Sequence, residues 1–349
     1  MTASDSEQVR MVDLGPAEPL EQLILEMRQT LGSNASVKAK EEAARLVREA
    51  VLDKLAPTLG DCTQLIIAPD GELVHVPFEV LPSASGGTLM DRYAIRYVGT
   101  GRDLLSHRGQ RLPEPSIPIV MADPDYDGTG EDNESEQGFF ARFLGLFRSK
   151  SSETQTPLSS FRLPRLAGAR AEGAKLSRSL SATLLKGTEA SRQALIDARS
   201  PRILHLATRC ILLQEQERGS TEQRDPIAPL RWESPLTLSG IALARINQGT
   251  DEDALPQREG FFPLSEVLQL DLLGTRLVTL SCTSTQGEAG ATGLSALALE
   301  RSFHLAGAGT VVLSLWQVPD DARQELLVEM YDRVQAGRSG AESLQEAKK

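Results

Sequence analysis

Apolar residues recur at three- and four-residue steps over two stretches near the start of the chain. The first stretch runs from Leu20 to Leu31 and the second from Ala44 to Leu55, with the polar loop "GSNASVK" between them. This spacing places the apolar side chains on one face of a helix. The pattern therefore predicts two amphipathic helices joined by that loop.

Shorter apolar runs bounded by turn residues follow and are typical of strands. "QLIIA" is predicted to be a buried strand, "PDG" a turn and "LVHVPF" the strand that returns from it. In "DRYAIRYVGTGRDLL" the alternation places Tyr93, Ile95 and Tyr97 on one face of a further strand. This part of the chain is therefore predicted to contain a small sheet.

Strands and helices then alternate from residue 116 to the end of the chain. The predicted strands are "SIPIVMADPDY", "ATLLKG", "PRILHLATRC", "TRLVTLSCTS" and "GTVVLSLWQV". The predicted helices are "GARAEGAKLSRSL", "TEASRQALIDARS" with Thr188 as its N-cap, "PLSEVLQLDL", "GLSALALERSFHLAGA" and "DDARQELLVEMYDRVQAG". Strands alternating with helices of this length predict an α/β fold with a mostly parallel sheet covered on both faces.

Residues 127–160 interrupt this alternation with an acidic lead, an aromatic segment and a Ser/Thr-rich tail, which is typical of a surface insertion. Phe139, Phe140, Phe143 and Phe147 recur in it at helical spacing. Such a helix either covers the core of its own domain or binds a partner protein. Membrane insertion is disfavoured, because anionic headgroups would repel the acidic residues before it.

The charge and composition of the chain make nucleic acid and membranes poor candidates for its partners. Its 349 residues carry a net charge of -11, and only 4% are aromatic. An acidic chain with few aromatic residues is a poor candidate for binding nucleic acid. No stretch approaches about 18 uncharged apolar residues, and the first residues do not resemble a secretion signal. We therefore expect a cytoplasmic protein that binds neither nucleic acid nor membrane.

The cysteines and glycines give no indication of a cofactor. Cys62, Cys210 and Cys282 show neither a disulfide framework nor the spacing of a metal site, so we expect reduced thiols. No glycine-rich phosphate-binding loop follows a predicted strand. The sequence predicts no metal and no cofactor.

Eight segments in order resemble the CHAT family, caspase-like domains often found at the C-terminal end of bacterial tetratricopeptide-repeat proteins. The segments are "LIIAPDGELVHVPFEVLP", "DRYAIRYVGTGRDLL", "MADPDY", "LAGARAE", "ILHLAT", "PLTLSGIALARIN", "LQLDLLGTRLVTLSC" and "ERSFHLAGAGTVVLSLWQVPDDA". The resemblance implies a caspase-like three-layer sandwich. We expect one such domain over residues 13–349, with residues 1–12 as a tail and an insertion at about 127–160.

Active members of the family that this chain resembles are cysteine endopeptidases. In them a histidine ends one parallel strand within "HxATHG", and a cysteine ends the neighbouring strand within "LSACETG". Adjacent strand ends present their side chains to one crevice, where the thiol needs a neighbour that accepts its proton. That neighbour must later return the proton to the leaving amine.

This chain departs from the family pattern at both positions. "HLATRC" places Arg209 at the histidine and Cys210 at the glycine. A guanidinium keeps its proton, so Arg209 can stabilise a thiolate but cannot act as a base.

The cysteine position allows two alignments. Matching the leading "LS" places Thr283 at the nucleophile and Cys282 at the preceding alanine, and this alignment is the favoured one. Matching the trailing "GE" returns Cys282 to the nucleophile and requires one deletion. Since strand side chains alternate between faces, one residue decides whether the thiol faces the crevice.

The four histidines do not replace the missing base. His205 precedes Arg209 by four residues, roughly 13 Å along a strand, and is predicted to be a core residue bonded locally. His75, His107 and His304 are assigned no chemistry.

Three functions remain open at this stage. The preferred hypothesis is a catalytically inactive caspase-like protein without a catalytic residue, which binds or regulates a protein partner in a bacterial protease or defence-type system. The partner would be an active CHAT protease or the substrate of that protease. The alternative is an active cysteine endopeptidase that uses Cys282. A third possibility is a ligand-sensing module in which Arg209 binds an anion.

Overall fold

The computed structural model describes residues 9–31, 33, 35–84, 86–105, 112–130, 162–166, 168–211, 239–248, 258–284, 293–314 and 318–348. The chain divides into two compact units. The first comprises residues 1–111, 292–297 and 325–349, and the second comprises residues 112–291 and 298–324. A single domain over 13–349, with a tail at 1–12 and an insertion at about 127–160, stays a prediction.

The bounds of the regular elements are as follows. The helices are α1 (Ala17–Leu31), α2 (Val37–Leu59), α3 (Leu89–Arg92), α4 (Ala169–Leu180), α5 (Arg192–Ile196), α6 (Leu264–Val267), α7 (Gly293–Leu305), α8 (Asp320–Gln335) and α9 (Gly340–Ala347). The strands are β1 (Gln64–Ile67), β2 (Ala94–Tyr97), β3 (Ile119–Pro124), β4 (Thr183–Gly187), β5 (Ile203–Ala207), β6 (Arg209–Ile211), β7 (Gly240–Ala242), β8 (Phe261–Pro263), β9 (Leu277–Leu280), β10 (Thr283–Ser284) and β11 (Val311–Leu313).

The first unit contains the two predicted amphipathic helices, α1 and α2. Ile24 and Met27 of α1 and Val47 of α2 are fully buried in one apolar cluster. Ser36 caps α2 by accepting a hydrogen bond from the backbone N–H of Ala39. The prediction of two helices separated by a short loop is confirmed.

The predicted hairpin after β1 is wrong. The "LVHVPF" segment belongs to short 3₁₀ helices at Gly71–His75 and Phe78–Val80. Asp70 favours the first of them by accepting a hydrogen bond from the backbone N–H of Gly71. Pro77 has no N–H to give to a strand ladder. The partner of β1 is instead β2, which runs parallel to it.

The second unit is built on a five-stranded parallel sheet with the strand order β11-β9-β5-β3-β4. Every residue of β5 and β9 is buried, as expected of central strands whose two faces are both covered. A four-stranded sheet, β10-β6-β7-β8, is parallel only between β10 and β6. The predicted α/β class with a mostly parallel central sheet is confirmed.

Two of the predicted helices are shorter than expected. Helix α5 begins at Arg192, not after Thr188, because Ser191 is the residue that caps it by accepting from the N–H of Ala194. Helix α6 occupies only Leu264–Val267 of the predicted "PLSEVLQLDL" segment. Periodicity identified both helices, and local capping decided where α5 begins.

A buried ionic network fastens α4 to the sheet. Glu172 Oε1 lies 2.9 Å from His205 Nε2 of β5, and Glu172 Oε2 lies 3.3 Å from Arg323 Nε. All three residues are at most 4% exposed. The helix approaches closely because Gly173 follows Glu172, and a Cβ there would lie 2.4 Å from Ala122 Cβ. The prediction that His205 is a locally bonded core residue is confirmed.

Burial opposes ionisation of Glu172, but its hydrogen bond and charge interaction with His205, together with Ser281 and Arg323, outweigh burial and hold its pKa below the ordinary value. A carboxylate with a lowered pKa stabilises the folded state above the pKa of the unfolded chain, about 4.3 for Glu. That contribution is lost as the pH falls through the lower folded-state pKa. The network is therefore expected to weaken only in acid.

We expect Glu172→Gln to lower the free energy of unfolding by about 3 kcal/mol near neutral pH, because it leaves the buried guanidinium of Arg323 without its counter-charge. Below pH about 4 the difference between wild type and variant should shrink. Urea denaturation at both pH values measures it. Glu259→Gln, in an exposed ion pair with Arg245, is the matched control and should change little. A difference that stays constant with pH would contradict this assignment.

Candidate active site

At the candidate site, the segments that follow two neighbouring strands leave the central sheet side by side. β5 continues through Thr208 into β6, and β9 continues through residues 281–282 into β10. Leu206 pairs with Leu280 in the central sheet, and Arg209 pairs with Thr283 in the smaller sheet. Paired residues of the two segments therefore differ by the same number of positions in the central sheet and in the smaller sheet. Parallel pairing therefore brings together the two positions that the favoured alignment predicted.

Cys282 and Cys210 form a disulfide, and their Cα atoms lie 5.5 Å apart. Cys210 pairs with Ser284, two residues after Cys282. Residues two apart on a strand share a face, so the two sulfurs meet on the face opposite to Arg209. The expectation of three unpaired thiols is wrong for this pair and holds for Cys62. The two cysteines are 72 residues apart in the sequence, so the sequence alone gave no sign that they form a disulfide.

Arg209 makes one hydrogen bond through its side chain and one through its backbone. Its Nε donates to the carbonyl oxygen of Pro164 at 2.9 Å, and its backbone N–H donates to the phenol oxygen of Tyr126 at 3.2 Å. The side chain is half-buried. Arg209 thus holds the 162–166 segment and the loop after β3 against the start of β6.

Tyr126 is the centre of a hydrogen-bond chain that runs from Arg209 to Ala242. Thr208 Oγ1 donates to the carbonyl oxygen of Ala242. A hydroxyl has one proton, so Tyr126 must be the donor in its 2.9 Å bond with Thr208 Oγ1. Burial raises the pKa of Tyr126, although Thr208 and Arg209 act in the opposite direction. The phenol therefore remains protonated and able to donate.

Acidic residues at the end of β3 and in the loop after it are engaged in supporting that loop. Asp123, 6% exposed, has a positive φ of 49°, and its carboxylate meets Arg165 Nε at 3.0 Å and Arg170 Nε at 2.8 Å. The Asp125 carboxylate accepts from the N–H groups of Gly128 and Gly130. This turn fixes the backbone on which Tyr126 is placed. Both carboxylates have structural partners that leave them poorly placed for proton transfer.

Within the described parts of the chain, each histidine is engaged away from the strand ends. His205 contacts Glu172, and His304 contacts the carbonyl oxygen of Ala308 and the carboxylate of Glu300. His75 belongs to the first unit, where it contacts Glu72. His107 lies outside the described residues. The described residues hold no cluster of His, Cys, Asp and Glu able to bind a metal ion.

The predicted docking helix cannot be placed in this structure. Phe139, Phe140, Phe143 and Phe147 lie outside the described residues, so their role in binding stays a prediction.

Open α/β sheets place their ligand and active sites outside the carboxyl ends of adjacent parallel strands, as this unit does with the residues that follow β5 and β9. Residues 41–349 match the CHAT domain family, and the chain belongs to that family. Its fold is accordingly that of a caspase-like peptidase family. No curated protein matches the chain significantly. Among the helices that the structure describes, none is long and apolar enough to cross a membrane.

Sequence reasoning missed the residues that support the site. It predicted a strand at "SIPIVMADPDY" but gave no role to Asp123 or Tyr126, and it expected Cys210 to be a reduced thiol. The Asp-Pro-Asp run was the available signal, because acidic residues that follow a buried strand need partners. Those partners, Arg165 and Arg170, lie more than 40 residues further along the chain.

We expect Tyr126→Phe to lower the free energy of unfolding by about 1–3 kcal/mol, because it leaves a buried N–H of Arg209 and the oxygen of Thr208 without this partner. Thr208→Val should cost a similar amount by breaking the same chain. In the double variant the two losses should not add, since each single change already breaks the bond between them. Urea denaturation of the three variants measures the coupling, and strictly additive losses would contradict the hydrogen-bond chain.

Proposed function

We propose that this chain is a catalytically inactive CHAT-family protein that binds a protein partner and regulates it. The observation that carries the proposal is the pairing of Arg209 with Thr283 at the strand ends where active relatives are expected to place histidine and cysteine. A guanidinium stays protonated at neutral pH, so it cannot take a proton from a nucleophile or return one to a leaving amine.

The state of the sulfurs supports the same proposal. A thiolate is the nucleophile in cysteine peptidases, and the sulfur of Cys282 is bonded to Cys210. Reduction would free the thiol, but His205 would still be bound to Glu172 within the core. The alternative of an active endopeptidase using Cys282 therefore needs a base other than His205.

Recognition is the function that such a scaffold retains. The loop after β3, the 162–166 segment and β6 are held together by the two hydrogen bonds of Arg209 and by the ion pair between Arg165 and Asp123. Backbone held in place by such contacts loses little conformational freedom on binding, which favours affinity. We propose as partner an active CHAT-family peptidase or the protein which that peptidase cleaves, in the cytoplasm of a bacterium.

The reduced full chain should not cleave peptides, because in the described part of the chain no histidine lies beside a thiol at the strand ends. A fluorogenic peptide library, incubated with the chain and a dithiol reductant, measures turnover. Cleavage that persists in Thr283→Ala and is lost in Cys282→Ala would overturn the proposal. It would establish the endopeptidase that uses Cys282.

The control for that assay is the double variant Arg209→His/Thr283→Cys. It places an imidazole and a thiol at positions that pair across β6 and β10. Compared with Thr283→Cys alone, it shows whether the scaffold gains turnover when a base is supplied.

If the crevice around Arg209 binds the partner, excess chain should change the rate at which an active CHAT-family peptidase cleaves its substrate. With Arg209→Ala, at least about ten times more chain should be needed for the same effect, as when an arginine that anchors an interface is removed. Arg199→Ala, an exposed arginine paired with Asp271 at 3.7 Å, is the matched control and should retain the effect. An effect equal in both variants would exclude Arg209 from the interface.

A further inference from the structure

We propose that Cys210 and Cys282 form a reversible thiol–disulfide site that fastens β10 to β6. Its reactants are small disulfides such as oxidised glutathione in one direction and protein dithiols in the other. The site does not depend on whether the crevice cleaves peptides.

The backbone places the two cysteines at a distance that suits a reversible bond. Their Cα atoms are 5.5 Å apart, within the range of about 4.4–6.8 Å found for disulfides. Parallel pairing of β10 with β6 sets this distance in the folded chain. Thiols freed by reduction therefore remain close enough to form the bond again.

The two sulfurs differ in access, and this difference gives the exchange a direction. Cys210 is 2% exposed and belongs to the main apolar cluster, whereas Cys282 is half-buried at its edge. An incoming thiolate can therefore reach Cys282 Sγ more readily than Cys210 Sγ. Access of this kind is one of the factors that decide which sulfur is attacked.

A dithiol reduces the disulfide in two thiol–disulfide exchange steps. The thiolate of a dithiol attacks Cys282 Sγ, forms a mixed disulfide with it and releases Cys210 as a thiolate, which takes up a proton. The second thiol of the reductant loses its proton, attacks the mixed disulfide and releases Cys282, so that the reductant leaves as a disulfide. Re-oxidation by glutathione disulfide transfers two electrons to it and yields two glutathione thiols.

The bond matters locally because the ladder that it reinforces is short. β10 pairs with β6 through two residue pairs, Thr283 with Arg209 and Ser284 with Cys210. So short a ladder opens easily unless other contacts hold it. The disulfide is a covalent contact between the same two strand segments. Its reduction should therefore let this pairing open more often, while the paired form keeps the two thiols close enough to bond again.

The test uses the full chain with Cys62→Ala, which leaves only the two cysteines of interest. After treatment with glutathione disulfide, unfolding and iodoacetamide labelling should find both thiols blocked, and after a dithiol reductant both should be labelled. Amide hydrogen exchange at Thr283 and Ser284 should then be at least about tenfold faster in the reduced chain. The β7–β8 pair, which the bond does not join, is the internal control.

Two single variants test the direction of attack. In Cys210→Ala, glutathione disulfide should modify Cys282, whereas in Cys282→Ala the buried Cys210 should react at least about tenfold more slowly. Equal rates would overturn the assigned direction. Free thiols after oxidation of the wild-type pair, or unchanged exchange at Thr283 on reduction, would overturn the site itself. Neither readout depends on peptide cleavage, so failure here is distinct from failure of the proposed function.

Discussion

The segments that follow β5 and β9 leave the central sheet in parallel register, and this register determines which residues of the candidate site lie next to each other. Because Leu206 pairs with Leu280 and the offset is unchanged beyond the junction, Arg209 meets Thr283. Strand side chains alternate between faces, so a shift of one residue would exchange the residues on each face. The same register that pairs Arg209 with Thr283 directs Cys282 to Cys210. One backbone constraint thus accounts for both departures from the chemistry of a thiol peptidase.

Polar groups buried around this register are satisfied in ways that fix them in place. The chain from Arg209 through Tyr126 and Thr208 to Ala242 leaves each hydroxyl with one defined donor role. The Glu172 network gives His205 a carboxylate partner inside the core. Because a buried group without a partner is costly, neither cluster can rearrange cheaply to supply a base at the strand ends. Among the residues that the structure describes, the polar core and the engagement of His205 away from Arg209 are therefore parts of one arrangement.

The sequence predicted the elements whose signal is periodic and missed those decided by contacts between distant residues. Helices α1 and α2 and strands β3, β5 and β9 carry long apolar patterns, and their packing follows those patterns. The "LVHVPF" segment has the alternation of a strand, but Asp70 and Pro77 favour 3₁₀ turns there. The position of Arg209 could be predicted by comparison with the family. Its partners Tyr126 and Pro164 are brought to it only by the fold, and so is the link between Cys210 and Cys282.

The disulfide has a physical role that is separate from the chemistry of Arg209. A guanidinium keeps its proton whether or not Cys282 is bonded, so Arg209 does not depend on the disulfide for its charge. What the bond does add is a constraint on the chain: closing a loop over a sequence separation of 72 residues removes unfolded-state entropy worth about 4 kcal/mol in the chain-entropy model. That constraint acts where β10 and β6 share only two residue pairs. In an active thiol peptidase, stability of this kind would conflict with catalysis, because the reactive sulfur would be consumed. In the inactive protein that we propose, the sulfur has no catalytic role, so this conflict does not arise and the constraint can hold the two strand ends in one arrangement for binding.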